Sequence, residues 1–325
     1  MHTNPWFWVA FNFGVLCVLA IDLFGFQRKA HAPSTKEAAI WTAVLVALSL
    51  GFNALIWYWE GHAKALEFLT GYLVEYSLSV DNIFVFVPVF SYFAVPAAYQ
   101  HRVLFWGIFS ALILRGVMIS VGVVFVQTFH WSLYLFGVFL LFTGIKMFLG
   151  RKKVVDIARN PLIRLVRRLL PVSESYHGAQ FTVLCKGRRL LTPLTLVLIM
   201  IELTDVLFAL DSIPATFGIT RDPFIVYTSN VCAILGLRSL YFLLAGVVHK
   251  FVYLKPALAI ILSFIGAKML LAGVYHIPTA ASLGVVGLVL LAAIGLSLLV
   301  NRQHPVMEEP VPKTDPHSSP VTNLR

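Results

Sequence analysis

Four acids stand in two apolar runs that share a pattern. "VEYSLSVDNIF", beginning at Val74, carries Glu75 and Asp81; "TDVLFALDSIP", beginning at Thr204, carries Asp205 and Asp211. Glu202 lies one helical turn ahead of Asp205. Around them the chain offers the amide of Asn82, the hydroxyls of Ser79, Thr204 and Ser212, and further amides at Asn53 and Asn230. All can present oxygen to a cation. The histidines fall in loops, tails or span ends, and none of Cys17, Cys185 and Cys232 neighbours an acid. Hard oxygen ligands suit magnesium, manganese or calcium, whereas zinc and copper recruit imidazole or thiolate. The donor set therefore points to a hard divalent cation, with manganese and magnesium not separated by ligand type.

A charge at the centre of a bilayer costs roughly 2.5–3.5 kcal/mol on insertion scales, so these acids should face a protein interior and pair there. In a regular helix Glu75 and Asn82 share a face, as do Asp205 and Ser212. Asp81 and Asp211 point about 120° away from the first acid of each pair, which is a difficulty for a single site. Pro88 and Pro214 each remove a backbone donor. They read either as breaks that bring the acids together and expose carbonyls to a cavity, or as packing kinks.

The surrounding elements must be membrane helices. Of 325 residues, 59% are hydrophobic and 12% charged, far from a soluble globular composition. Nine apolar stretches, near 6–26, 39–59, 66–93, 103–126, 131–149, 192–217, 224–248, 255–275 and 279–300, are long enough to span a hydrocarbon core, which takes about 20 helical residues. Nineteen of the 25 Lys and Arg fall on one face of this layout and only Lys64 and Arg221 on the other. Basic residues stay cytoplasmic, so the N-terminus is expected outside and the C-terminus inside. Mapped this way, the formal charge of +10 is loop bias and attraction to anionic lipid, with no nucleic-acid partner implied. The first span lacks a basic leader and cleavage site and reads as a retained anchor. The cysteines form no CxxC pair.

The loop 150–191 carries ten Lys and Arg, and "NPLIRLVRRLLP" from Asn160 reads as a surface amphipathic helix or as a solvated basic linker. The tail 303–325 is rich in Pro, Ser and Glu and reads as disordered.

The two acidic runs also belong to a longer repeat. Glu75 aligns with Asp205 and Asp81 with Asp211; downstream, Arg115 in "LILRGVM" meets Arg238 in "LGLRSLY", and Lys146 in "FTGIKMFL" meets Lys268 in "FIGAKMLL". Each half has three spans, an odd number, so the halves run in opposite orientations. The fold expected is all-α and polytopic, about nine transmembrane helices with an inverted three-plus-three repeat. Its parts are accessory spans in 1–65, repeat A in 66–149, the basic loop 150–191, repeat B in 192–275, a last span in 276–302 and the cytoplasmic tail.

Arg115, Arg238 and Lys268 are assigned to structural ion pairs with core acids, whereas Lys146 is close enough to its span end to snorkel. Five core acids outnumber these bases, and the surplus negative charge calls for a cation or protons. Paired membrane aspartates could also serve an aspartyl protease. That enzyme needs a GxGD-type motif, and Asp211 follows "FAL". No catalytic residue and no resident cofactor are expected.

"GYLVEYSLSVDNIFVF", "IELTDVLFALDSIPA" and "FTGIKM" resemble the TerC family of integral membrane proteins, especially its Alx branch, over nearly the whole chain from Phe7 to Leu299. The resemblance implies a bacterial inner-membrane protein from a family named for tellurite resistance or redox modulation and associated with manganese export, akin to LysE-type exporters. Carried over position by position, it implies a metal site of Glu75, Asp81, Asn82, Glu202, Asp205 and Asp211. The function expected is export of a divalent cation, Mn(II) foremost, with protons as coupling ion. The alternative is a membrane factor that assists metal loading or redox homeostasis of exported proteins without transport. The bilayer is the one further partner implied.

Overall fold

The structure is a computed structural model, and it describes residues 5–26, 34–129, 131–150, 173, 176–185, 188–247, 251, 253–275 and 277–303. In a bilayer every backbone polar group must find its partner within the segment, so long apolar runs become helices. They do so here: α1 (Pro5–Phe26), α2 (Thr35–Glu60), α3 (His62–Tyr92), α4 (Ala97–Thr128) and α5 (Ser132–Leu149) precede a short antiparallel hairpin, β1 (Thr182–Cys185) with β2 (Arg188–Leu191). After it come α6 (Pro193–Phe217), α7 (Pro223–Leu235), α8 (Leu237–Leu244), α9 (Leu254–Leu271) and α10 (Thr279–Gln303). Among the described residues, eight helical segments are long and apolar enough to cross a membrane, with α7 and α8 counted as one, and α1 adds a shorter apolar helix. The chain is an all-α polytopic membrane protein.

Local signals set the ends. Ser34 and Glu37 form a reciprocal capping box at the start of α2. Gly61 alone links α2 to α3 with φ of +90°, a conformation that a Cβ would strain. Both α3 and α6 run through their prolines without a break. Of the two readings of Pro88 and Pro214, a break of the helix is excluded and a packing role remains. A proline interrupts a helix only where its neighbours cannot re-satisfy the freed carbonyl, and membrane helices tolerate it for that reason.

Among the described residues the most enclosed segment is α7–α8, packed mainly against α3 and also against α2 and α4, while α2 and α10 leave much of their apolar surface exposed. Bases and acids that need burial must lie on those inner helices.

Among the described residues the most extensively packed helix pair is α5 with α9, the third spans of the two sequence halves. Glycine allows the approach: a Cβ at Gly266 would stand 2.7 Å from the Gly137 carbonyl oxygen and 2.7 Å from the Leu141 nitrogen, and one at Gly144 would stand 2.7 Å from the Ala259 carbonyl. Small residues replace hydrophobic driving force in lipid by letting backbones touch. Gly266→Ala is accordingly expected to lose about 1–3 kcal/mol by overpacking. Gly287→Ala, in open space on α10, is the control. Thermal unfolding in detergent reads both, and equal midpoints would remove the glycine contact as a source of stability.

The hairpin was not expected from the sequence. Its signal was present: "TVLC" and "RRLL" flank Lys186-Gly187, a β-prone run around a turn dipeptide. Thr192 ties it to α6, its nitrogen donating to the Phe181 carbonyl at 2.9 Å and its hydroxyl to the Gln180 carbonyl at 2.7 Å. Tyr176 donates to the Phe93 carbonyl at 2.6 Å, and burial pushes its phenol up to about 12. The amphipathic segment 160–171 and the tail from 304 lie outside the described residues. The pseudo-twofold relation stays a reading of sequence, and one departure is visible: α4 is continuous over 32 residues, whereas its counterpart divides at Gly236 into α7 and α8.

Candidate functional site

Four inner helices converge on Arg115. It projects from α4, is 1% exposed, and lies between Glu75 on α3 and Asp205 on α6. Its Nε donates to Asp205 Oδ2 at 3.1 Å and its Nη2 to Asp205 Oδ1 at 2.9 Å, a bidentate fork that a lysine could not reproduce. Nη1 donates to Glu75 Oε1, and more loosely to the Ser212 hydroxyl at 3.3 Å and the Asn230 amide oxygen at 3.4 Å. Glu75 is 1% and Asp205 3% exposed. Two carboxyl groups share one guanidinium in this buried site. Glu75 Oε2 and Asn230 Nδ2 are buried without a hydrogen-bond partner.

The helical phase explains why the other acids stand apart. Because α3 and α6 are unbroken, Asp81 and Asp211 keep the angular offset of about 120° from Glu75 and Asp205 that six residues impose. Asp81 faces Lys255 at the start of α9. Its Oδ1, the Ser79 hydroxyl and both amide atoms of Asn82 are buried with no hydrogen-bond partner, which is an expensive arrangement over four residues. Asp211 lies beside Thr143 and Lys146, both on α5. Glu202 meets the Ser110 hydroxyl of α4 and sits within electrostatic range of Asp205.

The six candidate ligands thus fall into separate neighbourhoods: Glu75 with Asp205, Glu202 next to Asp205, Asp81 with Asn82, and Asp211 apart from the other acids beside Thr143 and Lys146. Among the described residues, no three His, Cys, Asp or Glu side chains are grouped closely enough to hold a metal ion. The bases differ as well. Arg115 is the partner of both Glu75 and Asp205. Arg238 on α8 contacts His101 Nε2 at 2.6 Å and shares a small cavity with Glu37. Lys268, near the end of α9, faces Glu67 across a cavity of about 1140 Å³, where Lys64 also bridges Glu67 at 2.8 Å and Asp222 at 3.3 Å.

Ser110, Thr143 and the Arg238–His101 contact were not read from the sequence. Ser110 precedes Arg115 on α4 by five residues. A single hydroxyl in an apolar span is too common a feature to single it out.

Residues 60–305 match the family described as Integral membrane protein TerC family. The chain is 49% identical over 310 residues to "Uncharacterized membrane protein STKORF319" of Myxococcus xanthus, covering 95% of this chain and 97% of the relative. It is 50% identical to "Putative membrane-bound redox modulator Alx" of Escherichia coli K12, covering 93% and 97%. It is 45% identical to "Thylakoid membrane protein TERC, chloroplastic" of Arabidopsis thaliana, covering 84% and 70%. No solved structure matches the chain.

Proposed function

The chain belongs to the integral membrane protein TerC family, and from that premise we propose that it exports a hard divalent cation, Mn(II) foremost, across a bacterial inner membrane. The observation that carries the proposal is the run Ser79–Asp81–Asn82. It keeps four buried polar atoms without partners in the interior of a membrane helix. Each such atom costs about 1–3 kcal/mol, so a helix that only packed would gain by losing them. Oxygen-rich side chains in that setting are ligands for a passing cation. Glu202, Asp205 with Glu75, Asp81 and Asp211 then act as successive stations, brought together in turn as the two halves move against each other. The N-terminus faces outward and the C-terminus the cytoplasm, which makes the charged cavity at Lys64, Glu67 and Asp222 the outer mouth.

Carboxylates can hold either a divalent cation or protons, and competition between the two is the simplest basis for exchange. Everted membrane vesicles carrying the protein are expected to accumulate Mn(II) faster than vesicles without it, and faster still when their lumen is acidified. Flux that ignores the direction of an imposed pH gradient, with membrane potential clamped, would exclude proton coupling and leave a channel or facilitated carrier. Repeating the assay with magnesium, calcium and zinc identifies the preferred cation.

The name of the bacterial relative favours a second reading, in which the protein supports redox or metal homeostasis of exported proteins without moving ions itself. Cys17, exposed, and Cys232, buried, are both free thiols far apart in sequence. Folded protein that moves no divalent cation in the vesicle assay would select this reading.

A further inference from the structure

The surroundings of Arg115 are those of a cation site rather than of an ordinary ion pair. Two carboxylates, a hydroxyl and an amide oxygen from α3, α6 and α7 are all turned on one positive group. A structural pair needs one acid per base, and this site has two, so one carboxyl group is left without a base of its own in a medium where uncompensated charge is costly. Its ligand capacity is also unspent, because Glu75 Oε2 has no partner although Glu75 is 1% exposed. A divalent ion in place of the guanidinium would neutralise Glu75 and Asp205 completely. Released Arg115 would then need another acid. Glu202 supplies one: it lies about 4.5 Å along α6 from Asp205, one turn away, and is already held against α4 through Ser110. With all four groups ionised, Arg115, Glu75, Asp205 and Glu202 sum to −2, the charge that one divalent cation cancels.

We infer that Glu75, Asp205, Ser212 and Asn230 form a cation cage whose resting occupant is the chain's own guanidinium, and that a divalent cation binds there by displacing Arg115 onto Glu202. The inference rests on the cation-transport reading for the identity of the displacing ion, and adds to it a tethered competitor that closes the site when no ion is present. A tethered competitor also sets affinity: the weaker the hold of the cage on Arg115, or the stronger the hold of Glu202, the tighter the ion binds.

The test uses the full-length protein in detergent, titrated with MnCl₂ by calorimetry and followed by difference infrared spectroscopy. In the wild type, saturating Mn(II) is expected to shift the guanidinium C–N stretch as Arg115 changes partners. Arg115→Lys, which retains the charge and loses the fork, is expected to bind Mn(II) about tenfold more tightly. Glu202→Gln, outside the cage, is expected to weaken wild-type binding by about tenfold because the displaced charge loses its acceptor. Mn(II) binding that leaves the guanidinium band unmoved, or an affinity indifferent to Glu202→Gln, would overturn the inference even if Arg115→Lys fails to accumulate. Those signatures without flux in vesicles would keep the cage and sink transport. Flux with an unmoved guanidinium band would keep transport and sink the cage, and a wild type that binds no Mn(II) would sink both.

Discussion

Replacing Asp81 with asparagine is expected to reduce manganese tolerance in an efflux-deficient host to that of cells without the protein, while the variant still inserts in the membrane. The substitution keeps volume and one oxygen but removes the charge that sits beside the unpartnered Ser79 and Asn82 groups. Initial Mn(II) flux should fall by at least about tenfold, the lower range seen when even an outer partner of a metal ligand is altered. Insertion should survive, because a neutral amide is cheaper than a carboxylate at that depth. Asp211→Asn is expected to act the same way. Asp211 lies beside Thr143 and Lys146 and Asp81 beside Lys255, so the two losses report separate stations rather than one damaged contact. Full tolerance in either variant would strike that residue from the pathway.

Arg115→Ala carries the largest expected loss of stability. Removing one member of a buried ion pair leaves its partner charged in a low-dielectric interior, at a cost of about 3–5 kcal/mol. Here two partners are stranded, Glu75 and Asp205. Against a total stability of about 5–15 kcal/mol such a loss is large, and abundance in the membrane should fall several-fold. A charge-compensated double variant, Arg115→Ala with Asp205→Asn, should recover part of it, since members of one network are strongly non-additive. Immunoblots of membrane fractions and thermal unfolding in detergent measure both effects. Wild-type abundance of Arg115→Ala would mean that the acids are held by something other than this guanidinium.

How far the site could be read in advance varies residue by residue. Glu75 and Asp205 were marked as equivalent acids by their positions in matching runs, and they do meet on one base. Asp81 and Asp211 were marked as out of phase with them, and the uninterrupted helices preserve that offset. The prolines left two readings open because proline's lost hydrogen bond is a local fact, whereas a break depends on what neighbouring helices supply. The arginines were assigned to carboxylates as a pair. Arg115 takes both central acids, while Arg238, its counterpart in sequence, lies against His101 and beside Glu37.

Hydropathy and periodicity therefore determined, from the sequence alone, which segments become helices, roughly where they end, and which side chains must be hidden from lipid. These properties are legible because hydrocarbon excludes unsatisfied backbone and unpaired charge wherever a segment crosses it, so each span declares itself locally. The tertiary structure decided which hidden acid meets which hidden base. That choice depends on how closely helices approach, as the glycines of α5 and α9 permit, and on which faces α3, α4, α6 and α7 turn toward one another. Arg115 reaches Glu75 across 40 residues and Asp205 across 90, and over such separations only packing sets the distance on which an electrostatic partnership depends.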